Sequence, residues 1–118
     1  MHLITPVSLV ETNGTYLVGS ISGIGHEDLT KALGQPLDGI EKTDLEWSLG
    51  LATYSPPIPF TVYNWKNGPN TDPNLTLEGI DEWHVGGTLA TASAILETLR
   101  EHFAQVLPKH RVRINRSY

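Results

Sequence analysis

Gly86-Gly87-Thr88 stands just behind Trp83 and His84 and just ahead of a long amphipathic run. A helix N-terminus exposes unpaired N–H groups and the positive end of its dipole, so it attracts phosphate or carboxylate. Glycines before such a start let a ligand approach the backbone closely. Trp83 would then stack on a base or sugar face, and His84 would donate to an anion. Trp65 and Lys66, in the run YNWK, add a second stacking surface and a positive charge if their strand lies alongside. The candidate ligand-binding set is therefore Trp65, Lys66, Trp83, His84, Gly86, Gly87 and Thr88. The structural alternative is plain: Thr88 is an N-cap, the glycines turn the chain, and Trp83 packs into the core. The stretch completes neither a P-loop nor a dinucleotide fingerprint.

Other chemistry is thinner. Asp44 and Glu46 are two residues apart in an alternating run, which places both carboxylates on one face of a strand, roughly 7 Å apart. Such a pair can do acid–base work or hold a divalent cation, and is more often the wet face of a sheet. His26, His84, His102 and His110 are far apart in sequence and make no metal-binding spacing. The chain has no cysteine, which excludes disulfides, thiolate metal sites and a cysteine nucleophile. No G-x-S-x-G elbow occurs. No catalytic residue, metal or cofactor is implied. Tyr63 and Trp65 share one face of a strand, either beneath a helix or as an exposed platform for a ligand or partner.

These residues need elements to hold them. TYLVGSIS (15–22) has strand composition. HEDLTKALG reads as a short helix with Glu27 and Asp28 in its first turn, Leu29, Ala32 and Leu33 on one face, and Gly34 ending it. In KTDLEWSLGLA, Leu45, Trp47, Leu49 and Leu51 alternate with polar residues, the mark of a half-buried strand. TYSPPIP is a connection, because proline cannot donate to a ladder. PFTVYNWK is a second strand, with Phe60, Val62 and Asn64 opposite Thr61, Tyr63 and Trp65. The two runs are close enough to pair antiparallel. GIDEWHV is read as a short edge strand. Residues 89–106 form the strongest helix, striped by Leu89, Ala92, Ile95, Leu96, Leu99, Phe103 and Val106. RVRIN adds a possible last strand. The expected fold is α+β: a small antiparallel sheet of about four strands with two helices packed on one face.

At 118 residues the chain is expected to form a single domain over 1–118. No apolar run approaches the roughly 18 residues of a membrane span, and MHLITPVSLVETNG lacks a secretory signal. A cytoplasmic protein with no membrane partner is expected. The net charge of −5 conceals a basic C-terminal tail, 109–118, with Lys109, Arg111, Arg113 and Arg116 and no acid. The acidic body argues against general nucleic-acid binding. The tail is expected to act as a strand or a subunit-contact arm, lying on the acidic body of its own or a neighbouring subunit, so a homo-oligomer is open.

The order W-x-L, then Y-N-W-K-x-G, then W-H-V-G-G followed by a helix resembles small bacteriophage-encoded accessory proteins of uncertain function. The likeness spans residues 26–100 and includes KALGQP, which matches a short helix ending in L-G-x-P. The proline-rich YSPPIP joint departs from the tight hairpin such proteins suggest. The resemblance implies a viral protein acting in a bacterial cytoplasm by binding. The expected function is a non-enzymatic protein that interferes with host antiviral defence, sequestering an anionic nucleotide-like signal at the helix start. The alternatives are an acidic nucleic-acid mimic that blocks a host defence nuclease or effector, such as a CRISPR complex, and a small hydrolase using Asp44, Glu46 and His84.

Overall fold

Alternation in the sequence becomes two faces in space. In the computed structural model, which describes residues 3–118, Trp47, Leu49 and Leu51 are buried on one side of a strand while Glu46 projects from the other. The elements are β1 (Ile4–Pro6), β2 (Tyr16–Ser22), α1 (His26–Leu33), β3 (Leu37–Asp38), β4 (Leu45–Leu51), β5 (Ile58–Tyr63), a 3₁₀ turn (Leu77–Gly79), β6 (Glu82–Gly87), α2 (Ala92–Val106) and β7 (Arg113–Arg116). The strands form one antiparallel sheet in the order β1-β4-β5-β6-β2-β7, with β3 also pairing β4.

The α+β class is as expected, but the sheet has seven strands rather than about four. Two of the extra strands, Ile4–Pro6 and Leu37–Asp38, are three and two residues long. Neither is long enough to show a period of two. Both pair with the same edge of β4, β1 along Leu49–Leu51 and β3 along Leu45–Glu46. The run 82–87 is not an edge strand: β6 lies between β5 and β2. Its trailing glycines hid its length, because glycine is depleted in strands. The expected β4–β5 pairing is present, with Trp47 opposite Val62 and Leu49 opposite Phe60.

Both helices cover the face that carries these apolar residues. Helix α1 buries Leu29, Ala32 and Leu33 and ends at Gly34, whose φ of 92° suits a residue without Cβ and whose N–H donates to Thr30 O at 2.8 Å. The sheet grips α1 at both ends. Trp83 Nε1 donates to Ile24 O at 3.0 Å, and Trp47 Nε1 donates to Gly34 O at 2.7 Å. The two indoles meet edge to face, 5.5 Å apart, an arrangement that adds about 0.5–1.5 kcal/mol beyond area burial.

Helix α2 begins at Ala92, not at residue 89. Its N-cap is Thr91 rather than Thr88, and no side-chain bond completes the cap. The segment between strand and helix is a turn in which Thr91 N–H donates to Thr88 O at 3.2 Å. Leu89 is held outside the helix by its N–H, which donates to the Tyr16 hydroxyl at 2.8 Å. Leu89 and Val106, both assigned to the stripe, are exposed, whereas Ile95, Leu96, Leu99 and Phe103 are buried. The basic tail folds back on its own chain. β7 pairs β2, Ile114 lies opposite Ile21, and His110 Nε2 sits 3.1 Å from Asp28 Oδ2. No helix among the described residues is long and apolar enough to cross a membrane.

Candidate functional site

The helices cover one face of the sheet, and the loop between β1 and β2 folds over part of the other. Between that loop and the sheet lies a cleft of about 270 Å³. Leu9, Thr12 and Thr15 line it from the loop, and Thr43, Glu46 and Ser48 from β4 and the turn before it. Thr61, Tyr63 and Trp65 contribute from β5 and its continuation, and Gly86 from β6. Strand register makes this grouping. Glu46 lies opposite Tyr63 and Ser48 opposite Thr61, while Thr61 faces Gly86 across the next ladder. Residues opposite one another project to the same face.

Gly86 and Gly87 are therefore strand residues with close neighbours on both sides of the sheet. A Cβ on Gly86 would press on Thr61 Oγ1 and reach Thr15 Oγ1 and the Tyr63 ring, so its hydrogen floors the cleft. A Cβ on Gly87 would lie 2.6 Å from Ile95 Cδ1, so its hydrogen lets α2 approach the other face. Neither glycine sits at the helix mouth, where both were expected.

The remaining sequence-selected residues divide between the faces. Trp83 is fully buried on the helix side, 0% exposed. Thr88 lies in the exposed turn, bonded to the Thr91 hydroxyl at 2.7 Å. His84 is half-buried on the open face, 5.6 Å edge to face from Tyr63, and burial lowers its pKa below 6.5 against the opposing charge of Glu82. Trp65 is 43% exposed and lines the cleft. Lys66 Nζ lies 5.8 Å from the Trp65 ring centroid, and Lys42 Nζ lies 5.7 Å from it. Such cations are within reach of the ring's negative face. Trp65, Lys66, His84 and Gly86 thus share the open face and its rim, while Trp83 and Gly87 lie on the helix-covered face, Trp83 at the start of α1 and Gly87 against α2.

Asp44 and Glu46 do not form a pair. Asp44 is buried and accepts from Asn64 Nδ2 at 2.8 Å and from the Asn70 amide at 2.9 Å. Asn64, 0% exposed, returns its Oδ1 to the amides of Asp44 and Leu45. Asn70 Nδ2 closes the network on Thr43 O at 2.8 Å. This buried polar web joins the loops on either side of the cleft mouth. Beside it Lys66 adopts a left-handed conformation, φ 60°, its N–H donating to Lys42 O at 2.9 Å. Non-glycine residues in that region cost of order 1 kcal/mol and persist where their surroundings impose them.

Glu46 takes a different role. The Thr43 hydroxyl accepts from the Ile40 amide at 2.9 Å and donates to Glu46 Oε1 at 2.8 Å, fixing one carboxylate oxygen. Burial raises the pKa of Tyr63 above 10, and the Glu46 charge raises it further. Tyr63 is thus a neutral phenol at physiological pH, able to donate or accept. Thr61 and Tyr63 make no side-chain hydrogen bond among the described residues. No group of three or more histidine, aspartate or glutamate side chains that could hold a metal ion occurs among them either.

Sequence reading passed over Thr12, Thr15, Thr43 and Thr61. Threonines carry no spacing signal: strand register places Thr61 near Glu46, while a loop carries Thr12 and Thr15 and a turn carries Thr43 to the same cleft. No protein-family model, curated protein or solved structure matches the chain.

Proposed function

We propose that this protein is a non-enzymatic binding module that holds a small polar ligand of nucleotide type in the cleft on the open sheet face. The carrying observation is the convergence of Glu46, Thr61, Tyr63 and Trp65 on one cavity floored by a side-chain-free residue. At about 270 Å³ the cavity lies just below the range in which drug-sized ligand pockets begin, roughly 300 Å³. It suits a planar ring better than a large ligand. Trp65 offers a stacking face at the mouth, and Lys42 and Lys66 beside it offer charge to an anionic group left outside. The resemblance to phage accessory proteins supplies the biological setting of this reading, sequestration of a host defence signal, and is its only support for that setting. The carboxylates supply no paired acid and base, since Asp44 is engaged in the buried network.

Thermal shift against nucleosides and nucleotides tests the proposal. A ligand that binds only the folded state raises the melting temperature by mass action. The rise is expected with wild type and lost in Trp65→Ala with the fold intact by circular dichroism. No shift with any member of the panel at millimolar concentration overturns it. A second reading, capture of a host protein, is favoured by the exposed apolar residues Leu9, Val10, Leu17 and Ile40 on segments around the same cleft. It expects no small-molecule shift, and a host-protein complex weakened by Ile40→Lys.

A further inference from the structure

We infer that the cleft selects bases carrying an exocyclic amine, bound base-inward and phosphate-outward, with Glu46 setting that choice; this rests on the small-ligand reading above. Glu46 is the one charged side chain among the described residues lining the cleft. A phosphate placed inside would face it directly. A carboxylate only accepts hydrogen bonds, so the ligand edge that meets it must donate. Thr43 holds Oε1, and the turn that bonds Thr43 to Ile40 holds Thr43 in turn. The carboxylate is therefore oriented before any ligand arrives, which limits the ordering cost of binding.

The amines of adenine, guanine and cytosine are the donors that distinguish these bases by chemistry. The Thr61 and Tyr63 hydroxyls, each both donor and acceptor, serve the ring nitrogens and carbonyls beside such an amine. Outside, Lys42 and Lys66 flank Trp65 at 5.7 and 5.8 Å from its ring centroid. Positive charge is thus at the rim and negative charge within, matching a ligand with a donor-bearing ring at one end and a phosphate at the other.

Two matched ligand pairs differ only in the amine: adenosine 5′-monophosphate against purine riboside 5′-monophosphate, and guanosine 5′-monophosphate against inosine 5′-monophosphate. Calorimetric titration is expected to show the amine-bearing member of at least one pair binding about tenfold tighter or more, the size of a hydrogen bond to a charged group. Glu46→Leu, folded by circular dichroism, is expected to remove the preference. Lys42→Ala with Lys66→Ala is expected to weaken the monophosphate more than the bare nucleoside; equal weakening of the two overturns the phosphate-outward placement. Equal affinities within both pairs, with binding retained, overturn the selectivity and leave the cleft reading standing. A preference that survives Glu46→Leu overturns the role of Glu46. Absence of binding by all four overturns both this inference and the reading beneath it.

Discussion

Trp65 and Trp83 have the same side chain and opposite roles. Trp83 is sealed in the core with its indole N–H bound to a backbone carbonyl, as a buried indole requires. Trp65 lies beyond the end of β5, where the ladder no longer dictates its surroundings, and stays 43% exposed. His84 is the residue whose titration reports most directly on the open face. Burial disfavours its imidazolium, so its folded pKa lies below the ordinary 6.5. An NMR titration is expected to give a His84 midpoint below 6.5. The unfolded chain then binds more protons than the folded one as pH falls through 6.5. The contribution of His84 to stability is therefore full above that value and declines towards the folded pKa. Melting temperatures of wild type and His84→Gln, measured from pH 7.5 to 5, are expected to show a smaller acid decline in the variant.

At the scale of elements, β6 is the strand that lets both faces function. Gly87→Ala is expected to destabilise by about 1–3 kcal/mol, because its Cβ would press on buried Ile95 of α2. Ile95→Val is expected to restore part of that loss, since it removes the methyl group nearest the clash. Denaturant unfolding of both single variants and the double variant checks this; purely additive losses would show that strand and helix do not meet there. The turn before β4 and the loop after β5 depend on Asn64. Asn64→Leu strands Oδ2 of Asp44 and the amides of Asp44 and Leu45, and is expected to cost at least about 2 kcal/mol. If the web positions the cleft mouth, the variant's remaining folded fraction also loses ligand-induced quenching of Trp65 fluorescence.

For the whole molecule, the sheet is strong in the middle and short at its edges. β5 and β6 lie between long neighbours, while β1 and β3 share the free side of β4 as strands of three and two residues and the four-residue β7 closes the other edge. Short edge strands limit pairing with other chains, and Pro6 removes a donor from one of them. Hydrogen exchange is expected to be slowest in β5, β6 and the facing half of α2, and fastest in β1 and β3. Uniform protection across all seven strands would contradict this ordering. The basic tail completes the opposite edge from within the chain, and Arg100 Nη2 donates to Ile114 O at 3.0 Å, tying α2 to β7.

Several features were written locally and could be read without coordinates. The alternation of Leu45, Trp47, Leu49 and Leu51 decides which side of β4 carries the apolar residues that meet the helices, because successive side chains in a strand point to opposite faces. The spacing of Ile95, Leu96, Leu99 and Phe103 decides the inner face of α2 for the corresponding helical reason. Gly34 marks the end of α1. Periodicity, however, assigns a face and never a neighbour. That Glu46 meets Tyr63, and that Thr61 meets Gly86, follows from strand order and register, which join these residues across about 17 and 25 positions of chain through contacts no local pattern encodes. The double glycine is the clearest case. A missing Cβ suits a helix entrance and a crowded strand equally well, and only the arrival of Ile95 on one side and Thr61 on the other decides between them.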